Sequence, residues 1–410
     1  MAAVAMLLSG CGGGDSGDEG NEIVLDFPSW QVNEPGNGDV LKAIVADFEK
    51  THPNVKVNLY FVSNDDFQNQ MVTRLSAGRP PDVIASGNHF FAFAATGQLE
   101  PLDERLKSSG LLDQWRDFSK ERIIDGQQLA LPLHALTRVI FYNETFLQQA
   151  GVTAPPSTPE GLRDAVNKLG AAGGSNFNPW GATTTSHSNL FGESNSFIVG
   201  MGGAWITDGR WSVTDPKTVA AVELYRELAK KAPPGLNGGQ YRQLLADGKV
   251  AMSHDGNWVQ SFLDDNAPAD VLPKIQAAPS PFQNSIALVG TSLSIPKGIS
   301  DERKQLVWEL IETAAKPEIQ ALWAEKVYAA PGRVGVVPAE LATRLPVVGV
   351  VEKNVENAVP EFPPSDNFRA NFGEIEKTII DAMMRLLTTD DPTMTVLTDL
   401  EKKLAAITQP

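Results

Sequence analysis

Indole rings standing beside hydrogen-bonding side chains are the most chemically pointed feature of this chain. Trp30 and Gln31 directly follow an apolar run, Ile23 to Phe27, in a stretch that also holds Asn33 and Glu34. Trp205 comes after Gly202 and Gly203, which would let backbone approach a ligand closely. The stretch from Thr183 to Asn195 offers His187, Glu193 and Asn195. An indole face stacks on the apolar C–H face of a sugar ring, while amide, imidazole and carboxylate groups hydrogen-bond the ring hydroxyls. Such residues can hold a polyhydroxylated solute without breaking a bond in it.

Bond-breaking chemistry finds less support. The chain has no G-x-S-x-G elbow, no P-loop and no G-x-G-x-x-G after a strand. Four of the five histidines, His89, His134, His187 and His254, lie near the polar stretches and invite a metal reading. No H-E-x-x-H or comparable short spacing joins them, so neither a metal nor any other cofactor is expected. A secreted glycoside hydrolase is the rival class, requiring two carboxylates about 5–10 Å apart across one sugar bond. Glu193 and Asp255 would be its candidates, on no stronger ground than the abundance of acids.

Composition narrows the setting. The chain has 410 residues, 42% hydrophobic and 20% charged, as an ordinary globular protein of two or three domains would. A net charge of −16 without a Lys/Arg cluster argues against nucleic acid or an anionic membrane surface as partner. No apolar run reaches the roughly 20 residues needed to span a bilayer.

The elements that must position these side chains are legible in the apolar periodicity. Ile23 to Phe27 reads as a strand ended by Pro28, and Asp39 to Lys50 as a helix burying Val40, Leu41, Ile44, Val45 and Phe48. Val55, Val57, Leu59 and Phe61 alternate as a strand; Phe67, Met71 and Leu75 recur every four residues; Asp82 to Ala85 is strand again. Strand and helix alternating in this way imply a parallel sheet with helices on its faces. A second set begins near Val139, with helix starts at Thr158-Pro159-Glu160 and Asp215-Pro216. Amphipathic helices run from Asp301 to the end, Ile375, Ile379, Met383 and Leu387 forming one stripe. Gly/Ser/Thr/Asn-rich stretches at 170–204 and 277–294 are long enough to be functional loops.

Several segments resemble one known family in order along nearly the whole chain. They are Phe48-Glu49-Lys50-Thr51-His52-Pro53-Asn54-Val55, Gly78-Arg79-Pro80-Pro81-Asp82-Val83, Gly97-Gln98-Leu99-Glu100-Pro101-Leu102, and Phe141-Tyr142-Asn143 with Ala150-Gly151-Val152. Gly202-Gly203-Ala204-Trp205 and Gly248-Lys249-Val250-Ala251-Met252 leading to Asp255-Gly256-Asn257-Trp258 continue the series. Together they are similar to the sugar-type bacterial extracellular solute-binding proteins, maltose-binding-protein-like, which feed ATP-binding-cassette importers.

The resemblance implies an α/β, two-lobe periplasmic-binding-protein-like fold of type II, each lobe a mostly parallel sheet flanked by helices, with the ligand cleft between lobes. Crossings are implied near Leu133–Arg138, Val289–Ser292 and Ala330–Val334, giving a first lobe of residues 21–135 plus 291–331 and a second of 136–290 plus 332–410. The candidate ligand contacts are then Trp30, Gln31, Ser86, Asn88 and His89 from the first lobe, and His187, Glu193, Asn195, Trp205, Asp255 and Trp258 from the second. His134, Gly290 and Arg333 join them at the crossings. The family's Gly-x-Trp segment, here Gly256-Asn257-Trp258, supplies a stacking indole. If Arg138 and Arg333 both lined the cleft, the ligand would be anionic.

The first twenty residues carry a second resemblance. Leu8-Ser9-Gly10-Cys11 at the end of an apolar run is similar to a bacterial lipobox, with Cys11, the only cysteine, as the lipidated residue. The Gly/Asp-rich stretch after it reads as a flexible tether. No Lys or Arg precedes Lys42, so the leader is read as truncated. The whole implies a monomeric receptor outside the cytoplasmic membrane, held by lipid alone. It would deliver a mono- or oligosaccharide to permease subunits, with a sugar phosphate or a polyamine as the alternative ligand.

Overall fold

The computed structural model describes residues 22–87, 89–356, 358–361 and 365–407; Cys11, the tether and Asn88 lie outside the described residues. Strands β1 (Ile23–Ser29) and β2 (Val55–Phe61) pair in parallel, joined by the helix Asn37–Thr51. The backbone N–H groups of Asp82 and Val83 both donate to the Asp26 carbonyl, docking β3 (Ile84–Ser86) beside β1. The chain then forms β4 (Leu131–Pro132), β5 (His134–Leu136) and β6 (Arg138–Asn143) almost without interruption. Strands β7 (Met252–Gly256) and β8 (Ile275–Ala278) flank β6, both antiparallel to it. Next come β9 (Ser285–Val289) and β10 (Ser292–Ser294), the latter inserted between β3 and β4. Finally β11 (Ala330–Pro331) and β12 (Ala358–Pro360) complete a sheet in the order β11-β5-β9-β12.

The pairing sense departs from expectation. Parallel pairing joins β1 to β2 and β9 to β12, whereas β6, β10, β5 and β11 pair antiparallel with their neighbours. The alternation of strand and helix sets parallel order only where each strand starts on the same side. A segment running straight through β4, β5 and β6 enters the second sheet from the opposite direction, and its neighbours oppose it.

The apolar side chains fall into separate cores. One set joins Leu25, Phe27, Ile44 and Phe48 to Leu293, Val307, Ile311 and Trp323, so the chain returns to its first core after a long excursion. Another joins Ile140, Leu162, Trp180, Phe197 and Tyr225 to Ile375, Ile379, Met383 and Leu400. The helix Pro159–Gly173 begins as the sequence indicates, the Thr158 side chain accepting the Gly161 N–H at 3.0 Å with Pro159 in the first turn. Among the described residues no helix is long and apolar enough to cross a membrane.

Candidate functional site: the seam between the two halves

Loops leaving the carboxyl ends of β1, β3 and β7 meet the segments around β5, β9–β10 and β11: Gln31 bonds Thr291, Gly87 approaches the Gly290 carbonyl, and Asn257 bonds the Thr137 N–H and the Tyr328 carbonyl. Such ends collect ligand sites because their backbone is not consumed by the sheet.

On the first side Trp30 follows β1 and is 8% exposed. Its ring meets Phe67 at 4.7 Å and His89 at 4.9 Å, both edge-on, and Gly87 covers it, since a β-carbon there would lie 3.5 Å from the indole Cζ2. Trp30, expected from the sequence as a stacking face, is packed here as a wall of the local core. Gln31 Oε1 accepts from Thr291 Oγ1 at 2.8 Å, tying this loop to the crossing between β9 and β10. His89 is buried with its ring nitrogens 3.2 Å from Gln68 Oε1 and 2.8 Å from Asn64 Oδ1, and burial lowers its pKa. Ser86 is fully buried and its Oγ lacks a hydrogen-bond partner among the described residues. His134 stacks on Trp323 at 4.0 Å, its pKa driven down to about 3 by burial. Gly290 gives it room, because a β-carbon there would fall 2.0 Å from His134 Nε2.

The second side is organised by Asp255 at the end of β7. Its fully buried carboxylate accepts Arg242 Nε at 2.7 Å and Nη2 at 3.0 Å, the Tyr241 hydroxyl at 2.5 Å and the Gly256 N–H at 2.7 Å. Burial opposes its charge, but Arg242 and Arg138 outweigh burial and hold its pKa below the ordinary value. The two guanidinium carbons lie 5.6 Å (Arg138) and 5.9 Å (Arg242) from the centre of the half-buried Trp258 ring. That ring rests on Gly256, where a β-carbon would be 2.0 Å from Cζ3. Trp258 is thus an indole fixed on a charged, hydrogen-bonded base.

Other expected contacts serve the fold. Glu193 is 3% exposed and accepts Thr183 N–H at 2.9 Å, Thr183 Oγ1 at 2.6 Å and the Tyr225 hydroxyl at 3.1 Å. With Asp255 likewise enclosed, the carboxylate pair suggested for a hydrolase has its oxygens engaged internally. Trp205, expected from the sequence as a ligand contact, is 2% exposed in the second core and donates Nε1–H to Asn195 Oδ1 at 2.8 Å. His187 is an exposed N-cap whose Nδ1 accepts the Asn189 N–H at 3.1 Å. Arg333 donates to the Ala315 carbonyl at 3.1 Å and to Gln114, binding the crossing to the first half, and no contact joins it to Arg138 among the described residues. Within the described residues no group of three His, Cys, Asp or Glu could hold a metal.

Sequence reasoning passed over the charges that lie across the seam. Arg122, 2% exposed, donates Nε to Ser292 Oγ at 3.2 Å and Nη2 to the Gly87 carbonyl at 3.3 Å. Glu361 spans both sides: its N–H bonds the Glu121 carboxyl and its carbonyl accepts Asn195 Nδ2 at 3.1 Å. Arg369 sits 4.3 Å from the Phe91 ring centre, packing the C-terminal region on the first half. An arginine abutting an apolar run, as Arg138 does before Val139-Ile140-Phe141, was the one available signal, since a charge entering a core must be paired.

Comparison with known proteins agrees with this architecture. The family profile of the bacterial extracellular solute-binding proteins matches residues 32–321. The chain is 27% identical over 278 residues to the diacetylchitobiose binding protein of Streptomyces coelicolor, covering 63% of this chain and 62% of that protein, just under two thirds of its length. Among solved structures, MalE from Xanthomonas citri superposes with a TM-score of 0.80 at 18% identity, over 94% of this chain and 97% of that one. The maltose-bound MalE3 of T. maritima gives 0.77 at 20% identity, over 94% and 100%. At these identities the structures establish the two-lobe fold, and the profile match over most of the chain establishes the kinship. The chain belongs to the bacterial extracellular solute-binding protein family.

Proposed function

We propose that this chain is the extracytoplasmic receptor of an ATP-binding-cassette importer, capturing a mono- or oligosaccharide between its lobes and delivering it to the permease. The observation that carries this reading is Trp258, an indole held on Gly256 above the Asp255–Arg138–Arg242 base at the end of a strand. A rigid aromatic platform binds a sugar face at little entropic cost, and the polar groups around it supply orientation. The relatives' names are consistent, diacetylchitobiose and maltose being carbohydrates.

Capture takes the form of closure. Ligand met by one lobe gains contacts with the other only when the lobes approach, so it shifts the population toward the closed form by its differential affinity. The lobes are proposed as 21–135 plus 291–331 and 136–290 plus 332–410. No bond is broken in this scheme. Membrane attachment is assigned to lipid on Cys11, and the receptor acts as a monomer.

A thermal-shift screen of the chain against neutral sugars, sugar phosphates, uronic acids and polyamines tests the reading. Ligand at about 100 times its Kd stabilises by about 2.7 kcal/mol, a visible shift in Tm. A sugar that stabilises the protein and is recovered intact supports a receptor. One recovered cleaved makes the protein a hydrolase, and stabilisation by polyamines alone removes the carbohydrate assignment.

A further inference from the structure

Trp258, the indole that carries the proposed function, follows a residue that reaches away from the ring and into the crossings. Asn257 is fully buried, and both polar atoms of its side chain are engaged there. Its Oδ1 accepts the Thr137 N–H at 2.8 Å, and its own N–H donates to the Thr137 carbonyl at 3.0 Å. Its Nδ2 donates to the Tyr328 carbonyl at 2.9 Å. Thr137 stands alone between β5 and β6, which lie in different sheets. Asn257 therefore fixes the point at which the first crossing changes sheets.

Tyr328 ends the helix Pro317–Val327, whose Trp323 lies in the first core. It adopts the left-handed region with φ 57°, where a helix end ordinarily carries glycine. A bulky residue stays there only if its surroundings hold it. Two bonds to the second half do so: the Asn257 amide on the Tyr328 carbonyl, and the Tyr328 hydroxyl donated to the Asp264 carboxylate. Asp264 belongs to the helix Val259–Asn266, which begins directly after Trp258. The indole is thus bracketed in sequence by Asn257 and by this helix, and both grip Tyr328.

The first half has a pin of its own. Trp115 donates Nε1–H to the Pro132 carbonyl at 2.7 Å, and its ring packs on Gly332, where a β-carbon would lie 2.5 Å from Nε1. Between the two pins lie Leu133–Leu136 and Ala329–Pro331, which pair with each other through Ala135 and Ala330.

We propose that Asn257 is a positioning residue that makes the Trp258 indole and the hinge one mechanical unit. A solute seated on the ring then turns the second half only together with Thr137 and Tyr328, and these two crossings bend at Leu133–Leu136 and Ala329–Pro331. This rests on the receptor function proposed above and specifies how capture is relayed to closure. Without the Asn257 bonds the ring could meet a solute while the crossings stayed where they were.

The test needs no solute. Full-length protein carrying Cys11→Ser, Lys107→Cys and Lys168→Cys is spin-labelled at the two new cysteines, exposed positions in opposite halves, and their distance distribution is measured. Fluorine NMR of fluorotryptophan-labelled protein follows the ring, the Trp258 line being the one lost in Trp258→Phe. Asn257→Ala is expected to widen the distance distribution about twofold or more and to move the Trp258 line, at a temperature where a thermal melt shows the protein folded. A role in stability alone lowers Tm but leaves the folded protein's distribution as narrow as the parent's, and that result overturns the proposal. Asn257→Ala removes a fully buried amide and can prevent folding. In that case Tyr328→Phe, at a half-buried residue, carries the decision, since it deletes only the hydroxyl tie to Asp264. It should widen the distribution by a smaller factor, and a parent-like distribution overturns the proposal. The receptor reading is decided separately by the thermal-shift screen. A widened distribution in a protein that no solute stabilises removes that reading, whereas a parent-like one in a protein that a sugar stabilises removes the mechanical unit alone.

Discussion

The indole of Trp258 lies so close over Gly256 that a β-carbon on that glycine would fall 2.0–2.2 Å from three of its ring carbons. No rotation of a methyl group relieves such an overlap, so an alanine must move the ring or the strand end beneath it. Gly256→Ala is therefore expected to weaken sugar binding about as much as Trp258→Ala, roughly 2 kcal/mol or thirtyfold in Kd, while the second core stays folded. Calorimetry beside a thermal melt checks this. Full affinity in the alanine variant would mean that the indole position contributes nothing to binding.

Asp255, fully buried, holds the buried Arg138, the part-buried Arg242 and a tyrosine hydroxyl. Replacing it by asparagine keeps the shape and removes the charge, leaving both guanidinia without their nearest counter-charge. The expected loss is about 3–5 kcal/mol of stability, the usual cost of breaking a buried pair from one side. Urea denaturation of Asp255→Asn measures it. A loss under about 1 kcal/mol would show that water reaches these guanidinia.

Much of the frame was legible in local patterns because those patterns are set by neighbours in sequence. Val55 and Leu59 alternate because β2 has two faces, and Thr158-Pro159-Glu160 caps a helix by contacts within four residues. The antiparallel sense of β6 was not legible, since it depends on the direction in which the chain crosses between sheets. Within the seam, sequence marks an indole near a strand end but not which way it faces. Trp30 and Trp205 both turn inward, each against partners that sequence does not place beside it, Phe67 and Asn195 among them. The Arg122–Ser292 hydrogen bond lies further out of reach, because these residues meet only after the chain has built one half, left it and returned.

The inward turn of Trp205 separates packing from recognition. Its ring lies beside Phe191 in the second core, and its N–H is bonded to Asn195. Trp205→Phe should cost about 1–3 kcal/mol through lost volume and one unsatisfied amide oxygen, with ligand affinity unchanged at temperatures where the variant is folded. A variant as stable as the parent but defective in binding would return Trp205 to the ligand contacts.

Two buried histidines and a buried carboxyl pull the stability of this protein in opposite directions with pH. His134 and His254 are depressed from 6.5 to about 3, chiefly by burial, so their contribution is complete above pH 6.5 and is lost as pH falls. Glu361 is raised from 4.5 to about 7, chiefly by burial, so its contribution is complete below pH 4.5 and is lost as pH rises through 7. Between 4.5 and 6.5 the slopes oppose, two histidines against one carboxyl, so the parent's urea midpoint should climb with pH only about half as steeply as the histidines alone would make it. Glu361→Gln removes the opposing carboxyl, and its midpoint should climb about twice as steeply across the same window. Below 4.5 the histidines act without that opposition, and both proteins should lose stability steeply on acidification toward pH 3. Parallel profiles for parent and variant between pH 4.5 and 6.5 would mean that the Glu361 carboxyl titrates as it would in water, outside the influence of Arg138, Glu121 and Arg122.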